Sequence, residues 1–400
     1  EHCIPSESEY DSELNEYHKR SGTKWGFVPE VMDKLKSTAK SMGLWNLFMP
    51  IGHFGSRGIS MTEYSSLSEI MGRSFLAPEA CNCSAPDTGN MEVLAKFGSK
   101  PQQETWLVPL LEGKIRSSFL MTEPNVASSD ATNIRCSIEK KNGEYIVNGR
   151  KWWSTGALHP NCELFVLMGR MKGEHWERVP LSKRFSIVLI PSRAKGIKIE
   201  RALDVFGYDG APGGHAEISL DDVRVPASSS IIAGEGRGFE IAQSRLGPGR
   251  VHHCMRAIGM AERALTSMIR RSKERKTYGK FLCEYDTIRE KFAKSRIEID
   301  QARLLVMDCS EKLEKRGLKG AISEVSIIKV AVPIMACKVI DRAIQVHGGM
   351  GVSQDTFLAS AYAHMRTLRI ADGPDEVHLR SVAKVELKIP MSLRAGRRSH

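Results

Sequence analysis

"CSIEKKNGEYIVNGRKWW", residues 136–153, decides the class of the fold. Apolar and polar residues alternate here with the period of two that a strand with one buried face requires. Asn142-Gly143 divides the stretch into two strand-like runs. Such a pair accepts the positive φ angles of a two-residue hairpin turn, so a hairpin is predicted. A second pair, Asn148-Gly149, predicts another turn directly after it. Downstream, "ELFVLMGR" (163–170) and "FSIVLIPS" (185–192) are short apolar strands, and "HAEISLDDVRVP" (215–226) alternates up to Pro226. Residues 119–231 therefore read as a middle antiparallel β domain.

On either side the period lengthens to that of a helix. In "PEVMDKLKSTAKSMGLWNLF" (29–48), Val31, Leu35, Ala39 and Met42 share one face, with Pro29 near the start and Gly43 near the end. "SMTEYSSLSEIMGR" (60–73) and "NMEVLAKFG" (90–98) follow the same pattern, making residues 1–118 an N-terminal helical domain. Beyond the strands, residues 287–315 carry Ile288, Phe292, Ile299, Ala302, Val306, Cys309 and Leu313 as one stripe, the mark of a bundle helix. Residues 324–349 are apolar over a wider face, with Pro333 expected to kink the helix. The expected class is α+β, with residues 232–400 forming a C-terminal four-helix bundle.

Composition is that of an ordinary globular chain, 41% hydrophobic and 26% charged. No apolar run approaches the roughly 20 residues that span a bilayer, so stable membrane insertion is not expected. The net charge of +11 suits an acidic ligand such as a nucleotide or coenzyme A. No basic stretch is interleaved with aromatics in the way that would favour nucleic acid. Nine scattered cysteines without a C-x-x-C fit a reduced compartment and argue against a disulfide framework or a zinc site.

Five stretches carry candidate chemistry. "FLMTEPNVASSDATN" (119–133) offers hydroxyls at Thr122, Ser128, Ser129 and Thr132 with little bulk, which suits a polar heterocycle or a pyrophosphate. "GRKWWSTGA" (149–157) sets two tryptophans beside Ser154 and Thr155; paired Trp is more often core than cofactor wall. "RSKERKTYGKFL" (271–282) reads as the basic end of a helix stopping at Gly279, where Arg275, Thr277 and Tyr278 could hold phosphate. "QVHGGMGVSQ" (345–354) breaks a helix with glycines and allows close approach of a ligand to backbone. "LRIADGPDEVH" (368–378) crowds three acids around Gly373-Pro374.

In their order and spacing these motifs resemble the acyl-CoA dehydrogenase family over essentially the whole chain. The resemblance rests on Thr122-Glu123-Pro124 with Ser129-Asp130, on Trp153 and Thr155, on "ERKTYGK", on "QVHGGMG" and on "ADGPDEVH". It implies FAD as cofactor, acyl-CoA thioesters as substrate and a 2-enoyl-CoA product. By the same resemblance, Phe119, Met121, Thr122, Ser128, Ser129, Trp153 and Thr155 surround the flavin ring and ribityl chain. Arg275, Thr277, Tyr278, Gln345 and Gly349 hold the pyrophosphate and adenosine, reaching across from a neighbouring subunit, so at least a homodimer and commonly a homotetramer is implied. Arg250 and Lys384 match positions that contact coenzyme A. In "NVASSD" this chain has one residue more than the family's usual loop and no glycine, which leaves Ser128 and Ser129 as alternatives for the flavin contact.

The family's base stands in one of two places. One falls on Gly249, and residues 241–261 contain no Asp or Glu at all. The other falls on Asp372, where the family usually has Glu. Pro374, Asp375 and Glu376 are explained as the opening of a helix, where Pro suits the first position and acids answer the dipole; by resemblance they also line the flavin edge. Asp372 is not needed by that account and is the candidate base. Its side chain is shorter than Glu by one C–C bond, about 1.5 Å.

"RLGPGRVHHCMR" (245–256) with "LRIADGPDEVH" resembles a subfamily in which the dehydrogenase follows a phosphotransferase-like domain, and a chain beginning at Glu1 fits a C-terminal portion of such a protein. That subfamily implies long, branched or 4-oxygenated acyl chains, electron-transfer flavoprotein as acceptor and a place in the mitochondrial matrix, with the peroxisome as alternative. An acyl-CoA oxidase, a nucleic-acid-binding flavoprotein and a catalytically silent acyl-CoA-binding module remain the rival readings.

Overall fold

A computed structural model describes residues 1–49 and 58–388. The helices used below are α1 (Glu7–Ser21), α2 (Glu30–Ser41), α3 (Met61–Met71), α4 (Asp87–Phe97), α5 (Gly238–Glu274), α6 (Asp286–Gly320), α7 (Ile322–His347), α8 (Leu358–Thr367) and α9 (Asp375–Lys388). The strands of the main sheet are β1 (Arg116–Leu120), β2 (Ser137–Lys141), β3 (Glu144–Thr155), β4 (Cys162–Met171), β5 (Phe185–Pro191), β6 (Ile197–Ala202) and β7 (His215–Pro226). The α+β class and the helix–sheet–helix order are as expected. The chain divides into two compact units, Glu1–Ile59 with Ser74–Gly249, and Ser60–Arg73 with Arg250–His400.

The first unit holds α1, α2, α4 and a seven-stranded sheet in the order β1-β4-β2-β3-β7-β6, with β5 pairing β4. The hairpin at Asn142-Gly143 forms, joining β2 to β3 with Lys141 opposite Glu144. The sheet is not purely antiparallel, because β4 runs parallel to both β1 and β2. Its Leu164–Met168 run is buried throughout, as a strand with neighbours on each edge and cover on each face must be. Asn148-Gly149 does not turn the chain. β3 continues through it with a bulge opposite β7, and the Asn148 Oδ1 accepts the Asp222 amide at 2.8 Å. A Cβ on Gly149 would lie 2.8 Å from Cys136, so only glycine allows this close approach. α2 buries Val31, Met32, Leu35 and Ala39, but it ends at Ser41, which leaves Met42 exposed and off the expected stripe.

In the second unit α3 opens with a capping box, in which Ser60 Oγ accepts the Glu63 amide and Glu63 accepts the Ser60 amide. Residues of α5, α6, α7 and α8 share one apolar core. Ile299, Ala302, Val306, Cys309 and Leu313 are buried on α6, as their spacing predicts. Pro333 sits inside α7 without ending it. α5 stops at Glu274, not at Gly279. Tyr278 and Gly279, at φ 45° and 81°, instead form the turn of a two-stranded hairpin, β8 (Lys276–Thr277) with β9 (Lys280–Phe281).

Candidate functional site

In the first unit, β1 runs into the loop that begins at Met121. Lys151, fully buried on β3, anchors that loop: its Nζ donates to the Met121 carbonyl at 2.9 Å, to Glu123 Oε1 at 2.8 Å and to the Met168 carbonyl at 2.8 Å. Glu123 also accepts the amides of Arg135 (2.8 Å) and Cys136 (2.9 Å), closing the far end of the loop. A buried carboxylate needs such partners to offset its lost hydration. Ser128 and Ser129 separate here. The Ser128 hydroxyl lies 3.0 Å from the Glu123 amide, bracing the loop from within, whereas Ser129 is exposed. Trp153 is 38% exposed and its backbone lies at φ 51°, a left-handed conformation unusual for so large a residue. Its ring tilts against His215, whose Nδ1 is 3.0 Å from Thr155 Oγ1.

In the second unit, the loop after α8 carries Asp372 at φ 56° followed by Gly373 at φ 100°. Four side chains from three helices hold it. Arg250 of α5 donates Nε to the Asp372 carbonyl at 3.0 Å. His378 of α9 places Nε2 3.2 Å from the same oxygen. Lys329 of α7 donates to the carbonyls of Leu368 and Ala371. His253 of α5 sets Nε2 3.5 Å from Asp372 Oδ2, and the Asp372 side chain is 25% exposed, sheltered but reachable. Burial, with Arg250 beside it, pushes His378 down to about 4. Burial and Arg256 push His253 down to about 3. Burial also lowers Arg250 and Lys329 from their usual values.

The family profile "Acyl-CoA dehydrogenase, middle domain" matches residues 118–223, and "Acyl-CoA dehydrogenase, C-terminal domain" matches residues 236–387. The chain is 48% identical over 388 residues to the Mycobacterium tuberculosis protein named "Probable acyl-CoA dehydrogenase FadE2", covering 97% of this chain and 92% of that one. The chain belongs to the acyl-CoA dehydrogenase family. A solved Mycobacterium abscessus structure, described as a candidate acyl-CoA dehydrogenase, is 50% identical and covers 96% of this chain and 94% of that one at a TM-score of 0.91. Acyl-CoA dehydrogenase family member 11 of Rattus norvegicus is 50% identical over 392 residues, 97% of this chain but 49% of its own length. The chain thus spans about half the length of such relatives.

Membership brings FAD as the cofactor. The residues of this chain fit it: an exposed Trp in a strained conformation beside Thr155, and a small-residue loop with Thr122 and Ser129 at its surface, offer a wall and donors for a flavin. Phe119 on β1, and Met121 and Thr122 in the loop that follows it, are partly exposed. In the other unit, Tyr278 is 97% exposed at its hairpin tip, with Arg275 exposed beside it and Thr277 half-buried. Gln345 is exposed near the end of α7, and Gly349 is exposed just after Gly348. Lys384 is exposed on α9. Asp375 differs from its neighbours: it is buried and its Oδ2 accepts Arg369 Nε at 2.8 Å, while Glu376 is exposed and Pro374 half-buried.

Sequence reasoning missed Lys151 with Glu123, and the groups around Asp372. A signal for the second existed: Arg250, His253 and Arg256 recur at steps of three on a helix, which puts them on neighbouring turns. Nothing in residues 136–153 distinguishes Lys151 from a solvent-facing lysine.

Proposed function

We propose that this chain is an FAD-dependent acyl-CoA dehydrogenase that introduces a 2,3-double bond into an acyl-CoA, with Asp372 as the base. The observation that carries the reading is the Asp372 carboxylate, partly exposed on a loop whose carbonyls are held by Arg250, His378 and Lys329. A base must be held within reach of a weakly acidic α-proton, and sheltered enough to want it. Bound FAD supplies the acceptor for the β-hydride. Thr122, Ser129, Trp153 and Thr155 orient the flavin, with Ser128 bracing their loop; Phe119 and Met121 lie along it. Arg275, Thr277, Tyr278, Gln345 and Gly349 hold the rest of the dinucleotide across a homo-oligomer, a dimer or a tetramer. Arg250 and Lys384 receive the coenzyme A part of the substrate.

A misplacement of about 1 Å can cost on the order of 100-fold in rate. An aspartate in a glutamate's place therefore favours substrates that sit differently from short straight chains. Long, branched or 4-oxygenated acyl-CoAs, including 4-hydroxyacyl-CoA and its phosphorylated form, are the proposed class. Electron-transfer flavoprotein is the proposed acceptor. The mitochondrial matrix, or the peroxisome, is the proposed site, in keeping with nine free cysteines.

The test is anaerobic titration of the yellow protein with an acyl-CoA panel. Wild type is expected to bleach and Asp372→Asn to stay yellow. Equal bleaching by both rejects the base, and turnover confined to short straight chains rejects the substrate class. Peroxide release in air identifies an oxidase instead.

A further inference from the structure

We propose that His253 is the positioning residue for the Asp372 carboxylate, with its tautomer set by Arg256. This rests on the reading of Asp372 as the base and explains how the shorter acid is aimed. Arg256 Nη2 lies 3.3 Å from His253 Nδ1. A guanidinium only donates, so Nδ1 accepts, and a neutral imidazole must then carry its proton on Nε2. That Nε2–H faces Asp372 Oδ2 across 3.5 Å, just beyond the length of an ordinary hydrogen bond. Catalytic hydrogen bonds are often long before substrate binds and shorten in the complex.

The charged surroundings keep the imidazole neutral. Burial, with Arg256 facing it from α5, Lys329 from α7 and His364 from α8, holds its pKa well below the ordinary imidazole value despite the pull of Asp372. Around Asp372 itself stand Arg250 and His253 of α5, Lys329 of α7 and His378 of α9. The Cys254 thiol, pushed up to about 12 by burial, stays protonated there. The roles divide by atom. Arg250 and His378 hold the backbone carbonyl of Asp372, Lys329 holds the two carbonyls upstream, and His253 faces the carboxylate. With its backbone pinned, an aspartate has two side-chain torsions left, and a single donor is enough to aim it.

The test compares His253→Leu and His253→Gln in flavin-loaded protein, with Asp372→Asn in parallel. A Gln side-chain amide can donate to Asp372 while its carbonyl accepts from Arg256. We expect His253→Leu to slow anaerobic bleaching at saturating substrate by about 10- to 100-fold, with KM changed little. A hydrogen bond to a carboxylate favours its charged form, so its loss raises the base's pKa. The acid limb of the rate profile should therefore move to higher pH in His253→Leu and return in His253→Gln. Nitrogen-15 histidine spectra of the wild type should show the proton on Nε2. Wild-type bleaching and an unmoved limb in His253→Leu, failure of His253→Gln to recover while it still melts and binds flavin like wild type, or a proton on Nδ1 would each overturn the proposal. If Asp372→Asn bleaches normally, the base assignment itself fails. If Asp372→Asn is silent and His253→Leu is normal, only the role of His253 fails.

Discussion

Lys151→Met removes a cation from a site with no access to water. The Lys151 side chain is 0% exposed and that of Glu123 is 5% exposed. Three acceptors lose their donor, the carbonyls of Met121 and Met168 and one Glu123 oxygen. Removing one partner of a buried pair typically costs about 3–5 kcal/mol, because the remaining charge is stranded. Glu123 keeps the amides of Arg135 and Cys136, so the lower end, about 3 kcal/mol, is expected. In Lys151→Met/Glu123→Gln the stranded charge is gone, and the double variant should lose at least about 1 kcal/mol less than the sum of the two single variants. The assay is urea denaturation followed by tryptophan fluorescence. All six tryptophans (Trp25, Trp45, Trp106, Trp152, Trp153 and Trp176) lie in the same compact unit as Lys151, so the signal reports that unit. FAD affinity should fall in parallel, since the loop loses its anchor at Met121. A loss below about 1 kcal/mol in Lys151→Met, or strict additivity in the cycle, would refute the reasoning.

Two further outcomes follow from packing and burial. Gly259→Ala would set a Cβ 2.0 Å from the Glu69 carbonyl oxygen, where α5 meets α3; backbone cannot rotate aside, so a loss of about 3 kcal/mol or more is expected by urea denaturation followed by circular dichroism, and an unshifted midpoint would contradict it. Burial pushes Glu92 up to about 8 from 4.5, against the pull of Arg245 and Lys96. Between those values the folded state holds a proton that the unfolded state has released, so Glu92 makes stability fall as pH rises from about 4.5 to 8. Glu92→Gln should flatten that fall and be the more stable protein at pH 8, as melting at pH 5 and pH 8 will show.

Much of the architecture was legible because burial imposes a period. The stripe on α6, the hairpin at Asn142-Gly143 and the helix before Gly98 each follow from local spacing and a residue able to end or turn the chain. The errors share a cause. Asn148-Gly149 looks like a turn from its own composition, but pairing with β7 on the other edge absorbs it as a bulge. Gly279 looks like a helix stop, yet the chain had already left α5 and needed two positive φ angles for a tight hairpin. Parallel pairing of β1 with β4 joins residues about 45 positions apart, beyond what alternation can report.

For the candidate site, the sequence by itself determined which residue types stand where: an aspartate before Gly373-Pro374, hydroxyls after Pro124, two adjacent tryptophans, glycines at the end of a long helix. These follow from local chemistry, since turns, caps and helix starts are decided within a few residues. Only the tertiary structure decided what surrounds each acid. Asp375 is buried with Oδ2 on Arg369, whereas the Asp372 carboxylate is partly exposed on a loop gripped from α5, α7 and α9. Hydrogen bonds and burial act between groups close in space, and residues 250, 329 and 378 become neighbours of residue 372 only once the helices have packed.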